Sequence, residues 1–314
     1  MSTPANALPA VTVSATRLPT VPAQTSYGQK LLRAKLILPE ASFPGTSSNT
    51  LTLVGYRMSA TIQGPSGFPN QLDLAIYGMH QADMNQVTIL WSAATPQQVS
   101  TRALIQLEAS PDGTAWTQVF EGTFIQAQPD YRSVPHACLR VQAITGNGMQ
   151  LAIAPATSYR GQTSIAVIAQ YLAQKMGFAF ENNGVTGNLA SPYYPGTYMD
   201  QFRRLAKHAN FDFYFDGNAT LAICPKNSPR QGKLVPLFTP ASGLIGFPTI
   251  QQYGIHADVL FTPALTLGGE IKIDGSIVPS ANGTWQPYSV THELESLMPG
   301  GAWFTSMDCI RPVA

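Results

Sequence analysis

The hydrophobic period of this chain changes twice, and that order of periods narrows its fold more than any single motif. Thr50, Thr52, Val54, Tyr56, Met58, Ala60 and Ile62 alternate as one half-buried strand would, and Leu72, Leu74 and Ile76 repeat the pattern after the turn-rich stretch Gly64 to Asn70. Gln81 to Trp91 breaks the alternation and admits a short helix. Ile105, Leu107 and Ala109 face one way on a later strand, and Ser110 to Thr114 makes a turn. Val119 to Ile125 and Leu139 to Ala143 are again extended, ending at the turn Gly146 to Gly148. Strands at this spacing fit a small barrel or sandwich.

Between Ser164 and Met176 the period lengthens. Ile165, Ile168, Leu172 and Met176 recur every three or four residues, with Thr163 or Ser164 placed to cap the start and Gly177 placed to end the helix. A second helix is expected from Thr197 to about His208, with Met199, Phe202, Leu205, Ala206 and Ala209 inward. Phe211 to Asp216 alternates as a strand, Gly217 and Asn218 turn it, and Thr220 to Cys224 returns. The short period then resumes. Ile255 to Phe261 is extended, Ile271 and Ile273 alternate with polar neighbours, and Asn282-Gly283 makes a turn. Tyr288, Val290, His292 and Leu294 are expected on one face of a final strand.

The expected class is mainly β with a small α/β unit. An extended or disordered arm would occupy residues 1–32, a first β-barrel-like domain 33–160, a helix-helix-hairpin domain 161–225 and a second β-barrel-like domain 226–314. The two barrels would flank or enclose the α/β domain. In the arm, Pro4, Pro9, Pro19 and Pro22 break any helix or central strand, which fits either a disordered leader or an extended arm laid on a partner.

Charge limits the function classes. Only 11% of residues are charged, against about 25% in a typical soluble domain, and 18 Lys+Arg against 17 Asp+Glu leave a net charge of +1. No overall field recruits nucleic acid or an anionic membrane. A surface this poor in charge is expected to be covered by neighbouring subunits. No apolar run approaches the roughly 18 residues of a membrane span, so membrane insertion is not expected. The start of the chain lacks the basic and apolar segments of a signal peptide, and assembly in a reducing host cytoplasm is the expectation. Cys138, Cys224 and Cys309 are odd in number and far apart, which suits buried thiols better than disulfides or a zinc site.

A search for chemistry assigns no catalytic, metal-binding or cofactor-binding residue, and leaves any ligand-binding residues unknown. His292, Glu293 and Glu295 are read as strand, where alternation separates the imidazole from both carboxylates, so a hydrogen-bonded core or interface histidine is the better reading. Ser110 to Trp116 resembles a sialidase Asp-box but lacks a residue between Asp112 and Gly113, and a β-turn explains it better. Arg203, Arg204, Lys207 and His208 could contact phosphate; at a helix C-terminus they also complement the macrodipole, which is the preferred reading. Trp116, Tyr193, Tyr194, Trp285 and Trp303 could stack sugars or simply pack beside turns.

The order of segments resembles the baseplate hub proteins of tailed bacteriophages, the late-control-D-like group. Val119 to Ile125 is similar to the family's aromatic-Glu-Gly strand. Lys175-Met176-Gly177-Phe178, then Ala206-Lys207-His208-Ala209-Asn210-Phe211, then the Phe-rich hairpin ending in Leu221-Ala222-Ile223 resemble its central unit. Pro263 to Ile271, Asn282 to Trp285, Val290 to Leu294 and Pro299 to Thr305 resemble the entry and closing strands of its second barrel.

The resemblance covers about residues 33 to 308 and implies a non-enzymatic homotrimer without cofactors in the virion tail. Two barrels per chain would give a pseudo-sixfold collar. The implied partners are sister copies, the central spike protein, a tail tube or distal tail protein, the tape-measure protein and baseplate wedge proteins, with DNA only as transient cargo in the bore. Some related proteins carry a fused peptidoglycan hydrolase. This sequence ends at Ala314 just after the closing strand, so wall cutting is expected of a partner. The alternatives are a carbohydrate-binding β-module of a phage or cell surface and, further off, a glycosidase or peptidoglycan hydrolase.

Overall fold

The computed structural model describes residues 28–39, 41–45, 47–88, 103–132, 136–146, 148 and 153–312. Most of the expected N-terminal arm and the end of the 81–91 segment lie outside them. The first β stretch contains β1 (Leu31–Ile37), β2 (Thr50–Val54), β3 (Arg57–Pro65), β4 (Gln71–Tyr77), β5 (Leu104–Ser110), β6 (Thr117–Asp130) and β7 (Cys138–Thr145). Helix α1 (Gln81–Val87) follows β4 and buries Met84 and Val87.

The central unit runs through β8 (Ile153–Ser158), β9 (Gln162–Ser164), α2 (Ile165–Lys175), β10 (Ala179–Asn182), β11 (Asn188–Ala190), β12 (Tyr193–Thr197), α3 (Tyr198–Ala209), β13 (Phe211–Phe215) and β14 (Thr220–Pro225). The last stretch holds β15 (Leu237–Phe238), β16 (Leu244–Gln251), β17 (Gly254–Leu260), β18 (Ile271–Ile273), β19 (Gly283–Ser296) and β20 (Trp303–Ile310). The fold is mainly β, as expected.

Thirteen strands form one sheet in the order β16-β17-β20-β19-β3-β4-β7-β6-β5-β1-β2, with β18 and β15 attached beside β19. The two β stretches are therefore continuous: β19 pairs antiparallel with β3 from Ser289↔Pro65 to Ser296↔Met58. Three apolar cores lie around this sheet. Leu32, Met58, Ile62, Leu72, Ile76, Phe120 and Phe124 belong to the first, which also takes Phe261, Leu294 and Trp303 from the last stretch. Ile168, Leu172, Phe202, Phe213 and Phe215 belong to the second, between α2, α3 and their hairpin. The third gathers Phe238, Ile255, Val259, Ile271, Trp285 and Met307, and borrows Tyr214 and Cys224 from the hairpin.

Several local expectations need correction. Thr50 to Ile62 is two strands, because Gly55 adopts φ +76° and turns the chain between β2 and β3. The turn also exchanges faces: Leu53 is buried while Val54 is exposed, whereas Met58, Ala60 and Ile62 point inward. Tyr288 does not share a face with Val290, because a bulge between Pro287 and Ser289 inserts an extra residue in β19. Ser164 occupies the cap position of α2 without a side-chain bond, and the Gly187 carbonyl accepts from Ile165 N instead. By contrast, Thr197 and Asp200 form a reciprocal capping box at α3, and Asn210 ends that helix at φ +52°. The hairpin of the central unit also gains a third strand that periodicity does not reveal, β10, parallel to β14.

Candidate functional site

The outward face of the long sheet has a coherent polar character. Register places Phe304, Glu293, Thr61, Asp73 and Gln142 in one cross-strand row. Asp258, Ser306, Thr291, Gln63 and Gln71 form the next, and His256, Asp308 and Ser289 a third. Glu295, Ser59, Ala75, Arg140 and Gln128 lie on the other side of the first row. The opposite face of the same strands carries the apolar core, so the alternation of each strand sorts polar from apolar.

This face is acidic in a chain that is nearly neutral. Across β17, β20, β19, β3, β4 and β7 it bears Asp73, Asp258, Glu293, Glu295 and Asp308 against Arg57 and Arg140, with no lysine. Arg57 stacks on Tyr77 at 4.0 Å, and Arg140 is already bound to Asp130 at 2.9 Å. Neutral donors hold several of the carboxylates: Gln142 Nε2 donates to Asp73 at 2.8 Å, Ser59 Oγ to Glu295 at 3.1 Å and Gln251 Nε2 to Asp308 at 3.1 Å. Such bonds fix a carboxylate without cancelling its charge. His256 lies between Asp308, at 2.8 Å, and Asp258, at 3.5 Å. A groove of about 300 Å3 lies on this face, lined by Ser59, Thr61, Asp73, Gln126, Arg140 and Gln142.

Behind the face, the central unit is locked to the last β stretch. The Arg230 side chain is fully buried; it donates to both oxygens of Glu181, at 3.1 and 2.8 Å, and to Asp216 at 2.7 Å. Lys233 adds a third bond to Glu181, at 2.9 Å. Burial works against the Glu181 carboxylate, but the bonds from Arg230, Lys233 and Asn183 outweigh it and hold the group down to about 2. Burial likewise opposes the Arg230 charge, and Asp216 and Glu181 more than restore it. Beside this network Gln286, also fully buried, donates to Tyr214 Oη, Ser228 O and Gly268 O. Gly268 has φ +73°, and a Cβ there would lie 2.5 Å from the Tyr214 ring, so only glycine fits. The 64–70 loop docks on the central unit as well: Gly67 N donates to Phe213 O, and Arg203 stacks on Phe68 at 4.3 Å.

The residues singled out for chemistry are dispersed. His292 points inward from Glu293 and Glu295, shares a 2.7 Å hydrogen bond with Thr305 and packs edge-on against Phe261; burial pushes its imidazole down to about 4. Asp112 accepts from Thr114 N at 2.8 Å inside a turn, and backbone bonds hold its carboxyl down to about 2. Arg203 is spent on Phe68, and His208 bonds Tyr194 Oη at 2.8 Å. Trp285 and Trp303 are buried in different cores, Trp116 lies under Arg33, and Tyr193 stands exposed without them. Cys138, Cys224 and Cys309 are free and buried; burial raises all three thiols, Cys224 to about 12, which leaves them poor nucleophiles. No group of three metal-ligating side chains occurs among the described residues. Among those residues no helix is long and apolar enough to cross a membrane.

Sequence reasoning missed both the acidic face and the Arg230 network. The face depends on strands more than 200 residues apart, β3 and β19, and the network on Glu181, Asp216 and Arg230 drawn from different elements; no local pattern announces either.

Comparison with known proteins adds to this geometry. A family model described as baseplate hub gp41 matches residues 60–299. Among solved structures, a tail protein from Neisseria meningitidis MC58 superposes with a TM-score of 0.58 at 9% identity, covering 91% of this chain and 97% of that one. The 43 kDa tail protein of prophage MuSo2 from Shewanella oneidensis gives a TM-score of 0.56 at 10% identity, covering 90% and 98%. At such identity the likeness is one of fold. No curated protein sequence matches the chain.

Proposed function

The chain belongs to the baseplate hub gp41 family, and from that premise we propose that three copies close into a ring joining the tail tube to the central spike. A baseplate hub is a structural part of the phage tail, and the virion tail is its place. The family match carries this reading, because residues 60–299 take in the central unit and much of the β stretch on either side of it. In the proposed ring each chain supplies two wall segments, one from 33–160 and one from 226–314. Six segments then meet a sixfold tube on one side while three chains meet a threefold spike on the other.

The acidic sheet face gives the ring a reason to pass DNA without holding it. Protein binds DNA by neutralising phosphates and releasing their counterions, and a wall carrying Asp73, Asp258, Glu293, Glu295 and Asp308 does the reverse. We place this face toward the bore, where DNA and the tape-measure protein pass. Spike, tube or distal tail protein and wedge proteins take the remaining contacts, and assembly occurs in the host cytoplasm.

The protein acts without catalysis or a cofactor in this reading. The sheet groove and the cavity of about 290 Å3 near Asp216 and His292 each hold one carboxylate, whereas glycoside hydrolysis uses two across the bond. The scatter of Trp116, Trp285, Trp303 and Tyr193 likewise weighs against a sugar-binding platform. Negative-stain imaging and native mass measurement of the purified protein with its spike test the proposal. A three-subunit annulus with a central hole is expected. Solitary monomers in the presence of every neighbouring tail component would overturn it.

A further inference from the structure

Two adjoining cavities lie where the first β stretch, the central unit and the last β stretch meet. The outer measures about 290 Å3 and the inner about 70 Å3. Val119, Asp216, Gly217, Leu265 and His292 line both, so the two are neighbouring parts of one recess. Its inner part presents side chains with hydrogen-bonding capacity to spare. Asn70 is only 8% exposed, yet its amide bonds no group among the described residues, and its Oδ1 is fully buried. An amide removed from water in this way carries a cost that a bound molecule relieves. His292 commits Nδ1 to Thr305 at 2.7 Å, which leaves Nε2 as the ring nitrogen without a partner among the described residues. Gly64 lies opposite Val290 in the ladder between β3 and β19, where extended backbone accepts any residue. Its missing side chain makes room instead: a Cβ there would stand 3.1 Å from Asn70 Oδ1 and press on the amide.

Charge narrows what fits the recess. Asp216 lines both cavities, and its carboxylate disfavours an anion. Arg230 already donates to that carboxylate at 2.7 Å, so it calls for no second cation. Lys233, in the wall of the outer cavity, is likewise committed to Glu181. The outer walls add the neutral side chains of Gln118, Asn218, Thr262 and Thr266. We propose that this recess binds a small uncharged polyol about the size of a single hexose. One hydroxyl accepts from the Asn70 amide and meets His292 Nε2, because a hydroxyl both donates and accepts; the others reach the neutral side chains of the outer walls. The outer cavity alone is close to the lower bound, about 300 Å3, of clefts that hold small molecules. The bound molecule touches the loop between β3 and β4 at Asn70, the hairpin at Asp216 and β19 at His292, and so ties together all three parts of the chain. The site is independent of the hub reading.

Titration calorimetry of the full chain with glucose, galactose, mannose and myo-inositol tests the proposal, with inorganic phosphate as the charged control. At least one polyol should bind saturably, and phosphate should not. Asn70→Leu replaces the amide with a side chain of similar size and should weaken that binding about tenfold or more. Gly64→Ala keeps every group that lines the recess but crowds the amide, and should weaken binding as well. The melting midpoint of the parent chain should rise more steeply with polyol concentration than that of either variant, since only the parent binds strongly in its native state. Circular dichroism checks that both variants fold, and Gly64→Ala decides if Asn70→Leu does not. Absence of saturable binding by all four polyols, binding that the folded variants retain unchanged, or equal binding of phosphate would overturn the proposal. Each of those results would leave the trimeric ring untouched, because ring closure is read by mass and imaging without any polyol.

Discussion

The first and last β stretches are joined by a continuous backbone ladder over a shared apolar core, whereas the central α/β unit meets the last β stretch through side chains. At the first seam β3 and β19 continue one ladder, and the outward residues opposite each other, such as Thr61 and Glu293, are replaceable parts of a polar surface. At the second, the buried Arg230 is held by the half-buried Glu181 and Asp216, and the buried Gln286 bonds Tyr214, Ser228 and Gly268 beside them. A ladder tolerates sequence drift because every residue brings the same N–H and C=O. A buried ion network does not, because its strength lies in how costly it is to break rather than in what it adds. The angle between the α/β unit and the sheet thus depends on a handful of side chains, and the continuity of the sheet does not.

The largest expected effect follows directly. Arg230→Ala leaves Glu181 and Asp216 facing each other without their shared cation, and should cost about 3–5 kcal/mol in urea unfolding. A cost near zero would show that water reaches this seam and that the central unit is held by its apolar contacts alone.

Acid should divide the seam from the sheet core by the pH at which each fails. His292, in the sheet, has a folded pKa pushed down to about 4, below the ordinary value near 6.5. Between those values the unfolded chain binds more protons, so stability falls as the pH drops from about 6.5 toward 4. Glu181 is held down to about 2, against an ordinary value near 4.5, so its contribution is intact above the latter and lost as the pH falls toward 2. Melting midpoints measured across this range should therefore decline in two stages. His292→Asn should flatten the upper stage and Glu181→Gln the lower. A single stage untouched by either substitution would break the assignment.

The same contrast explains what was legible in the sequence. Helices α2 and α3 and the hairpin after them could be read nearly to the residue, because their contacts are close in sequence and their caps are local, as Thr197 and Asp200 show at α3. Strand β10 could not, since Ala179 to Asn182 is short and partly exposed and alternates weakly. The β2–β3 break was hidden because glycine at 55 fits a strand as well as a turn until its φ is known. The candidate site was harder still. Asp73, Glu293 and Asp308 are unremarkable polar positions on separate strands, and they become one acidic wall only when β19 takes its place beside β3. Likewise Arg230 lies at the start of the stretch expected as the second β domain, where no periodicity marks it, yet its side chain is among the most buried polar groups of the fold.

The smallest expected effect is the sharpest check on the backbone seam. Thr61 lies in the middle of β3, opposite Glu293 on one side and Asp73 on the other, with its side chain on the outward face. If backbone bonds carry the joint between the two β stretches, Thr61→Ala removes only a partly exposed hydroxyl and a methyl group. Its unfolding free energy should then stay within about 0.5 kcal/mol of the parent chain. β-propensity slightly disfavours alanine, which sets the sign of whatever change is seen. A loss approaching that of Arg230→Ala would mean that side chains of the polar face hold the ladder together, and the two seams would then be of one kind. The acidic wall would in that case be a structural necessity of the sheet, with its charge pattern fixed by folding rather than left free to suit what passes along it.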